Sequence, residues 1–462
     1  MKAQNYIILL LLITGTLLEV WKVGQQPIEQ WDEARRGINA VSMMKSGDYF
    51  NYHFLDKPDT FNTKPPLTVW LIILNFEIFG VSDFALRFHS ILAILFFFFF
   101  ISRLILLYKD RMFLVLFLGI IITVNGIIGF HVGRTGDTDS LLLLFLTGFL
   151  YYFLRYWDFR QSNAIYWAAI FLGLAFYVKS VAIFLMLPAV FGYMLIYPDK
   201  DKILNKKFVL AVGIFLIMIG GLGFLPALLN SSVNDSSSLF RNIFSVDLFR
   251  RFADNSFEAG YDPFYIFHVL DMNFSVWIYI LYAGGIYGIY SLIKSDKPWR
   301  LKENKLFLLS LFICLSYAIL LTASMNKHRW YIAPAIPFFA IMTVQFLIQF
   351  KEKPWFKIAF FLLAGILAGL KFHDYNNPDT TVSNFFHEYK PDISRAEKVY
   401  VHEAVPQHLT WELIKYNYEN AGITQDLPSD AQSYVYFGPL MKKENSNVMD
   451  SLLDHRLVIK KN

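Results

Sequence analysis

Charged side chains are concentrated in a short stretch near the N-terminus, between two strongly apolar segments. Asp32 and Glu33 precede Arg35 within residues 31–36, and Lys64 opens a Lys-Pro-Pro triplet further along the chain. An uncompensated charge is costly next to a membrane, so a charged group there is by default a functional candidate. A carboxylate at the membrane surface can act as a general base on a hydroxyl or amine, or it can hold a divalent cation. We therefore interpret this stretch as the rim of an active site.

A second acidic pair, Asp137 and Asp139, follows Arg134 within residues 133–139. Both carboxylates precede the apolar run 141–150, a position at which an acidic side chain commonly caps a helix N-terminus. For Asp137 taken alone, capping is the slightly favoured interpretation. For Asp139, a role in the site is favoured once the other motifs are considered with it.

Isolated basic residues recur on segments that we place on one face of the membrane, where positive charge is otherwise sparse. Snorkelling of the charged group to lipid headgroups explains one or two such residues. Cations that converge from several segments suit a phosphate better, because arginine binds it bidentately and lysine as a point charge. The pattern predicts a lipid-phosphate site at the outer membrane interface. Its basic residues are Lys64, Arg134, Lys179, Arg250, Arg251, Lys327 and Arg329.

The composition of the chain is that of a membrane protein. It has 462 residues, of which 55% are hydrophobic and 47 are phenylalanine, which indicates a core embedded in lipid. The net charge of +5 does not indicate nucleic-acid binding, because Lys and Arg of such proteins collect in cytoplasmic loops. With Cys314 as its single cysteine, the chain has neither a disulfide framework nor a thiolate metal cluster.

Eleven apolar segments are candidates for crossing a bilayer, which needs about 20 residues. A cytoplasmic N-terminus puts the basic loops on the cytoplasmic side, as the positive-inside rule requires. The apolar stretch 66–80 is too short to span and would invert every later loop, so we predict that it lies in the outer interface or re-enters the membrane. The predicted spans are 6–23, 85–107, 112–130, 140–157, 164–178, 181–197, 208–228, 274–293, 306–323, 331–350 and 356–372.

The chain divides into two predicted domains. The membrane domain covers residues 1–372, with outer loops at 24–84 and 229–273. Beyond it the sequence becomes polar, with short alternating runs and one helical pattern, which predicts a soluble α/β domain over residues 373–462. The expected fold class is an all-α polytopic membrane protein with a small C-terminal α/β domain outside the membrane.

Five motifs resemble, in their order, those of GT-C membrane glycosyltransferases, which include the dolichyl-phosphate-mannose protein mannosyltransferases and the bacterial aminoarabinose transferases of lipid A. The resemblance covers residues 1–350. Thr63 and Tyr261 depart from the family pattern, which often has an acidic residue and a histidine at these positions, and both bear on the donor sugar and on any metal. The motifs are 31–35 with 64–67, 134–139, 177–180 with Pro188, 251–265 and 327–337.

The resemblance implies a helical bundle with an active site on the outer face. There a sugar would leave a polyprenyl-phosphate carrier, with inversion, for a cell-envelope acceptor that is a glycolipid or a protein. A bacterial inner membrane, with the site and the C-terminal domain in the periplasm, fits the sequence. A divalent cation is the one cofactor left open. The implied catalytic residues are Asp32 as the base, Asp139 and Glu33; the implied phosphate-binding residues are Lys64, Lys179, Arg251, Lys327 and Arg35; the implied pocket residues are Arg134, Asp137, Arg329 and Tyr331.

Two other classes of function compete with glycosyl transfer. A transporter or flippase for lipid-linked sugars would place charged residues near the bilayer midplane and often contains repeated halves. Here the charges lie at the outer ends of the predicted spans and the sequence shows no repeat, so transfer is favoured. A non-catalytic membrane scaffold for the C-terminal domain would not need Asp32 or Lys64.

Overall fold

The computed structural model describes residues 2–29, 31–59, 61–62, 64–129, 131–229, 262–294, 303–324, 328–424, 434–439, 448–452 and 455–460. These residues form a bundle of helices up to Asn376 and a small α/β unit after it. The predicted fold class, an all-α polytopic membrane protein with a C-terminal α/β region, is confirmed.

Helices lie in all of the predicted spans. Among the described residues, seven helical segments are long and apolar enough to cross a membrane, as judged by length and composition. The predicted span 112–130 is shortened, because its helix ends at Ile121 and the chain continues in turns. The helices are α1 (Lys2–Val20), α2 (Asp32–Ser46), α3 (Leu67–Phe79), α4 (Asp83–Leu106), α5 (Arg111–Ile121), α6 (Asp139–Trp157), α7 (Ala164–Lys179), α8 (Leu187–Ile196), α9 (Lys200–Ile203), α10 (Lys206–Leu229), α11 (Tyr265–Phe274), α12 (Trp277–Lys294), α13 (Lys305–Ala323), α14 (Ile336–Leu347), α15 (Pro354–Asn376), α16 (Thr381–Glu388), α17 (Lys390–Arg395) and α18 (Gln407–Ile414).

Short 3-10 segments extend or join several of these helices. One of them continues α7 beyond Lys179, and another leads into α14. Both therefore bring the ends of membrane helices toward the loops that hold the candidate site. The segments are Val23–Gln25, Ser180–Leu185, Arg329–Ala335, Ile348–Phe350 and Tyr418–Asn420.

Helix α3 is apolar but does not have the length of a span. Its 13 residues extend about 20 Å, whereas the hydrocarbon core of a bilayer is about 30 Å thick. It packs against α2 and α4, and Leu74 and Ile78 on its other side are exposed. This geometry agrees with the expectation that the stretch 66–80 does not cross the membrane.

The C-terminal unit contains a five-stranded sheet in the order β4-β3-β5-β7-β6. Strand β3 pairs in parallel with β4 and β5, and β7 pairs antiparallel with β5 and β6. The domain boundary expected at residue 372 stays a prediction, since α15 runs on to Asn376. The strands are β1 (His53–Phe54) and β2 (Lys57–Pro58) of a separate hairpin, then β3 (Lys398–His402), β4 (Ala421–Thr424), β5 (Tyr434–Pro439), β6 (Val448–Leu452) and β7 (His455–Lys460).

One hydrophobic core joins the C-terminal unit to the first outer loop. It contains Ile38 of α2 and Ile72 of α3 together with Trp411 of α18 and Phe437 of β5. A separate, larger core fills the helical bundle. The helix that begins with Asp32 is therefore fixed from one side by the C-terminal unit, which the sequence did not indicate.

Trp411 is the central contact of this shared core. Its ring stacks on Phe76 with centroids 5.7 Å apart, and its indole N–H donates to Asp83 Oδ1 at 2.8 Å. Lys415, one turn further along, donates to the other oxygen of Asp83 at 2.8 Å. Gly37 lies against the ring, and a Cβ added there would come within 2.7 Å of it. Only glycine allows α2 and α18 to approach this closely.

We predict that Gly37→Ala loosens the C-terminal unit from α2. On helix propensity alone, Gly→Ala inside a helix stabilises by about 1 kcal/mol, but overpacking a buried contact costs about 1–3 kcal/mol. The variant should therefore unfold at a lower temperature in detergent and release the C-terminal unit faster under limited proteolysis.

The matched control is Gly285→Ala in α12, where an added Cβ meets no atom within 4 Å. It should not lower the unfolding temperature. Equal unfolding temperatures for the two variants would contradict the tight contact between Gly37 and Trp411.

Candidate active site

Helix α2 carries the first acidic motif and begins with it. Asp32 and Glu33 lie in its first turn, where negative charge interacts favourably with the helix dipole. Asp32 and Arg36 are four residues apart and so lie on one face of the helix. Asp32 is half-buried, and its carboxylate makes neither a hydrogen bond nor an ion pair with any residue that the structure describes. Its oxygens are therefore available to another molecule.

Asp137 is buried between two basic side chains. Arg36 Nη1 lies 2.8 Å from its Oδ1, and His131 Nδ1 lies 2.5 Å from its Oδ2. The other ring nitrogen of His131 lies 3.4 Å from Glu29 Oε2. The imidazole also stacks on Trp330, with the ring centroids 3.8 Å apart. Asp137 thereby joins α2 to the loop that precedes α6 and to the segment that precedes α14.

These contacts determine which groups are charged. Burial acts to raise the pKa of Asp137, but Arg36 and His131 outweigh it and hold this pKa below its ordinary value. Burial acts to lower the pKa of His131, but the hydrogen bond and charge of Asp137 outweigh it and raise this pKa. Burial and the nearby negative charge of Glu33 raise the pKa of Glu29 to about 7. Asp137 is therefore a fixed negative charge that positions its partners, and its low pKa makes it a poor proton acceptor.

Asp139 and Lys179 form a second buried ion pair. Asp139 is the first residue of α6 and Lys179 is the last residue of α7. Lys179 Nζ lies 2.8 Å from both carboxylate oxygens of Asp139 and 4.5 Å from the ring centroid of Tyr331. An ammonium has three N–H donors, and the described residues use two of them, both on Asp139, so one donor remains for another anion.

Thr138 connects the two ion pairs. Its hydroxyl lies 3.1 Å from Asp137 Oδ1 and 3.4 Å from Asp139 Oδ2. The carboxylate and imidazole atoms of Asp32, His131 and Asp137 approach within 4.8 Å of one another. The charged residues and Tyr331, whose ring lies against Lys179, therefore form one continuous group, which we call the ion-pair cluster. Its members are Asp32, Arg36, His131, Asp137, Asp139, Lys179 and Tyr331.

Glu33 points away from this cluster into the protein. Its carboxylate accepts from Arg87 Nε at 2.6 Å and Arg87 Nη2 at 2.8 Å, and from the backbone N–H groups of Gly136 and Glu29. Both side chains are almost completely buried. Each carboxylate oxygen of Glu33 accepts two hydrogen bonds. The geometry therefore favours a structural role for Glu33 over the catalytic role expected from the sequence.

Arg134 also lies outside the cluster, in contrast to its expected place in the pocket. Its guanidinium donates to the backbone carbonyls of Leu18, Glu19 and Trp21. It lies 3.8 Å from the ring centroid of Tyr375. Arg134 thus connects the loop before α6 to α1 and α15. Its N–H groups, which were expected to face the site, donate to backbone carbonyls instead.

Arg35 was expected to bind phosphate, but its guanidinium is already paired. It donates to Asp59 through Nε at 2.7 Å and through Nη2 at 2.6 Å, and it lies over the rings of Phe54 and Phe61. This pair lines a cleft of about 270 Å³ between the first outer loop and the C-terminal unit. A bidentate pair of this kind leaves little positive charge for a phosphate.

Of the remaining residues expected in the site, the structure describes Lys64 and Arg329. The backbone N–H of Lys64 donates to Asn62, whose amide donates to Asn39 of α2, so Lys64 lies beside α2. Arg329 is half-buried and begins the 3-10 segment that contains Tyr331. Their expected roles stay predictions. Arg250, Arg251 and Lys327 lie outside the described residues.

Asp32, His131 and Asp137 are the described residues whose spacing could accommodate a divalent cation. One imidazole nitrogen and two carboxylate oxygens are suitable ligands for such an ion. However, each oxygen of Asp137 already has a cationic partner, Arg36 on one side and His131 on the other. The three residues are therefore a candidate divalent-cation site, in which an ion would compete with Arg36 and His131 for the oxygens of Asp137.

Sequence reasoning missed three residues of the site: Arg36, His131 and Asp59. Arg36 could have been found from its spacing, because it lies one helical turn after Asp32. His131 follows an apolar segment and precedes Asp137 by six residues, which gives no recognisable period. Asp59 is separated from Arg35 by a hairpin, and only the folded chain brings them together.

Two comparisons of the sequence with other proteins give matches. A family model described as dolichyl-phosphate-mannose-protein mannosyltransferase matches residues 63–223, which include Lys64, Asp139 and Lys179. A protein of Aquifex aeolicus (strain VF5) without an assigned function is 27% identical over 355 residues, which are 73% of this chain. The alignment spans 63% of that relative's length.

Solved structures of membrane glycosyltransferases resemble the fold. ArnT from Cupriavidus metallidurans bound to undecaprenyl phosphate matches with a TM-score of 0.71 and 13% identity, over 98% of this chain and 97% of that one. Its apo form matches with a TM-score of 0.72 and 13% identity, over 99% and 98% of the two chains. The oligosaccharyltransferase of Archaeoglobus fulgidus matches with a TM-score of 0.53 and 11% identity, over 90% and 64%.

Together these matches confirm the resemblance to GT-C membrane glycosyltransferases that the motifs indicated. The chain has the ArnT-like fold over almost its whole length, and the shared fold includes the C-terminal unit, which the motifs did not cover. With several helices able to span a membrane, it is a multi-pass membrane protein.

We predict that the neighbouring residues Asp32 and Glu33 differ sharply in their effect on stability. Glu33→Ala leaves Arg87 buried without its carboxylate partner, and breaking a buried pair in this way costs about 3–5 kcal/mol. Asp32→Ala removes a carboxylate that has no partner among the described residues and should change the stability by less than about 1 kcal/mol. Denaturation of both variants in detergent measures the difference, and similar losses would contradict the geometry of Glu33.

Proposed function

We propose that this protein is an inverting glycosyltransferase that moves a sugar from a polyprenyl-phosphate carrier to a cell-envelope acceptor on the outer face of the membrane. Two findings support a polyprenyl-phosphate-linked donor. The matching family model is that of dolichyl-phosphate-mannose-protein mannosyltransferases, and one similar structure contains undecaprenyl phosphate. The observation that carries the proposal is the position of Asp32 in the ion-pair cluster, where its carboxylate has no hydrogen-bond or ion-pair partner among the described residues.

Lys179 is the proposed ligand of the carrier phosphate. Asp139 fixes its ammonium through both oxygens, and Tyr331 lies against it, so the charge is already oriented before a substrate arrives. The side chains of Lys179 and Asp139 are both largely buried, so water screens the charge of Lys179 poorly. An oriented cation in such a place stabilises negative charge more than it would in solution. Lys64 is the proposed second ligand, by the resemblance of its motif.

Asp32 is the proposed general base. The acceptor oxygen attacks the anomeric carbon of the sugar while its proton passes to the Asp32 carboxylate. The bond between that carbon and the phosphate oxygen breaks, and its electron pair leaves with the carrier phosphate. The anomeric carbon acquires oxocarbenium character in between, while Lys179 stabilises the growing charge on the phosphate. One displacement of this kind inverts the anomeric configuration.

Asp137, Arg36 and His131 are proposed to position the reacting groups. Arg36 and His131 are held by Asp137 at fixed distances, and His131 lies within 4.8 Å of Asp32. Their positive charges surround the base without a hydrogen bond to it. Holding a base in place before the acceptor binds avoids the cost of ordering it during the reaction.

The cleft lined by Arg35 and Asp59 is the proposed entry for the acceptor. Arg35 lies three residues after Asp32 on α2, so the cleft begins one helical turn from the base. Its walls combine the rings of Phe54 and Phe61 with polar side chains of the C-terminal unit, a mixture that suits a glycolipid or a protein segment. By the positive-inside rule, the cleft faces the periplasm of a bacterial inner membrane.

We expect Asp32→Asn to abolish transfer while leaving the fold intact. Loss of a general base lowers the rate about 10²- to 10⁴-fold. Purified protein in detergent would be incubated with undecaprenyl-phosphate sugars and an envelope extract, and new glycosidic bonds would be measured by mass spectrometry. The matched control is Glu77→Gln, which removes an exposed carboxylate of the same outer loop that makes no hydrogen bond or ion pair with any described residue and should keep wild-type activity.

A lipid-linked sugar flippase would form no new glycosidic bond in this assay and would move labelled donor across the membrane of a proteoliposome. Transport without transfer would contradict the proposed function. Full transfer by Asp32→Asn would contradict only the assignment of the base.

The same assay tests the divalent cation. Because Arg36 and His131 already neutralise Asp137, we expect transfer to continue at its usual rate after EDTA treatment. Loss of activity with EDTA, followed by recovery with Mg²⁺ or Mn²⁺, would show that a cation displaces these partners during the reaction.

A further inference from the structure

A polar pocket of about 400 Å³ lies between α6 and α7, at the end that is remote from the ion-pair cluster. Asp139 begins α6, whereas Arg155, which lines the pocket, lies in its last turn. At about 1.5 Å per residue, the two are about 24 Å apart along the helix axis. This distance approaches the thickness of the hydrocarbon core, so the pocket and the ion-pair cluster lie near opposite membrane surfaces.

The pocket has a positively charged wall. The Arg155 guanidinium lies 5.3 Å from the ring centroid of Tyr151 and forms no ion pair with any described residue. Lys207 Nζ donates to Ser162 Oγ at 2.9 Å and to Asn163 Oδ1 at 2.7 Å, and both of these residues line the pocket. A second positive charge is therefore held at its edge.

Negative charge does not compensate these cations. None of the described side chains that line the pocket is acidic. Asp158 is the nearest carboxylate along the chain, and it already accepts hydrogen bonds from Lys305 at 2.7 Å and from the hydroxyl groups of Tyr108 and Tyr193. The net charge at the pocket is positive, and an anion is its natural ligand.

Aromatic residues indicate where the pocket opens. Trp167 lines it and is 53% exposed, and its ring stacks on Tyr152 with an interplanar angle of 27°. Both residues lie near the ends of membrane helices, where Trp and Tyr are typical of the headgroup region. The mouth of the pocket is therefore in contact with lipid headgroups.

We propose that this pocket binds the phosphate headgroup of an anionic membrane lipid in the leaflet opposite to the ion-pair cluster. Arg155 supplies a guanidinium fork for the phosphate oxygens and Lys207 a second positive charge. The hydroxyl and amide groups of Ser162 and Gln161 can bind the polar part of the headgroup, and Trp167 can contact the start of the acyl chains. Basic pockets between membrane helices bind anionic lipids in this way.

The test is a lipid titration of the purified full chain in detergent, followed by native mass spectrometry. Phosphatidylglycerol should bind more tightly than phosphatidylcholine. Arg155→Gln and Lys207→Gln should each weaken phosphatidylglycerol binding about fivefold, as expected for the loss of one hydrogen bond to the phosphate. The matched controls are Arg160→Gln and Lys206→Gln, which remove exposed cations that are adjacent in the sequence to Gln161 and Lys207 and should leave binding unchanged.

Three results would overturn the proposal. One is phosphatidylglycerol binding that is insensitive to both pocket variants, and another is equal sensitivity to the two controls. The third is displacement of the lipid by inorganic phosphate at millimolar concentration with the same dependence on Arg155, which would identify free phosphate as the ligand.

A second measurement avoids the charged residues in case their variants do not fold. Phosphatidylglycerol with brominated acyl chains should quench the fluorescence of Trp167, obtained as the difference between the wild type and Trp167→Phe. Brominated phosphatidylcholine should quench it less. Equal quenching by the two lipids would contradict selective binding of an anionic headgroup.

Discussion

A buried charge without a partner costs several kcal/mol, and this cost governs the arrangement of the polar residues between the membrane helices and the first outer loop. Asp137 holds Arg36 and His131, Asp139 holds Lys179, and Glu33 holds Arg87. The pairs of Arg36 with Asp137, Lys179 with Asp139 and Arg87 with Glu33 join segments that are far apart in the chain. The partners therefore fix the relative positions of α2, α6 and α7 more narrowly than apolar packing alone would do.

Asp32 is the exception among these buried or half-buried groups. Its carboxylate lies within 4.8 Å of a ring nitrogen of His131 and a carboxylate oxygen of Asp137 but is not bound by either, and no other described residue pairs with it. A carboxylate that a fold leaves without a partner beside so many paired ones is a candidate for contact with a substrate. The contact between Trp411 and Gly37 packs the C-terminal unit against the opposite side of the helix that carries Asp32.

The sequence was a good guide wherever a feature depends on local composition. Hydropathy located the helices, the length of α3 argued against a span, and the motifs contained Asp139 and Lys179, which the fold brings together as an ion pair. It was a poor guide to the partners of individual arginines. Arg134 binds carbonyls of α1 and Arg35 binds Asp59, and a guanidinium aimed at a phosphate looks the same in a sequence as one that holds two segments together. Only tertiary contacts distinguish them.

The central claim is that Asp32 and Lys179 face one substrate at the outer end of the bundle. An experimental structure of the protein with undecaprenyl phosphate bound tests it most directly. The account predicts the phosphate within hydrogen-bond distance of Lys179 Nζ, in a cavity into which the Asp32 carboxylate also points. A phosphate bound elsewhere with Lys179 enclosed by protein, or Asp32 paired with another side chain, would contradict it.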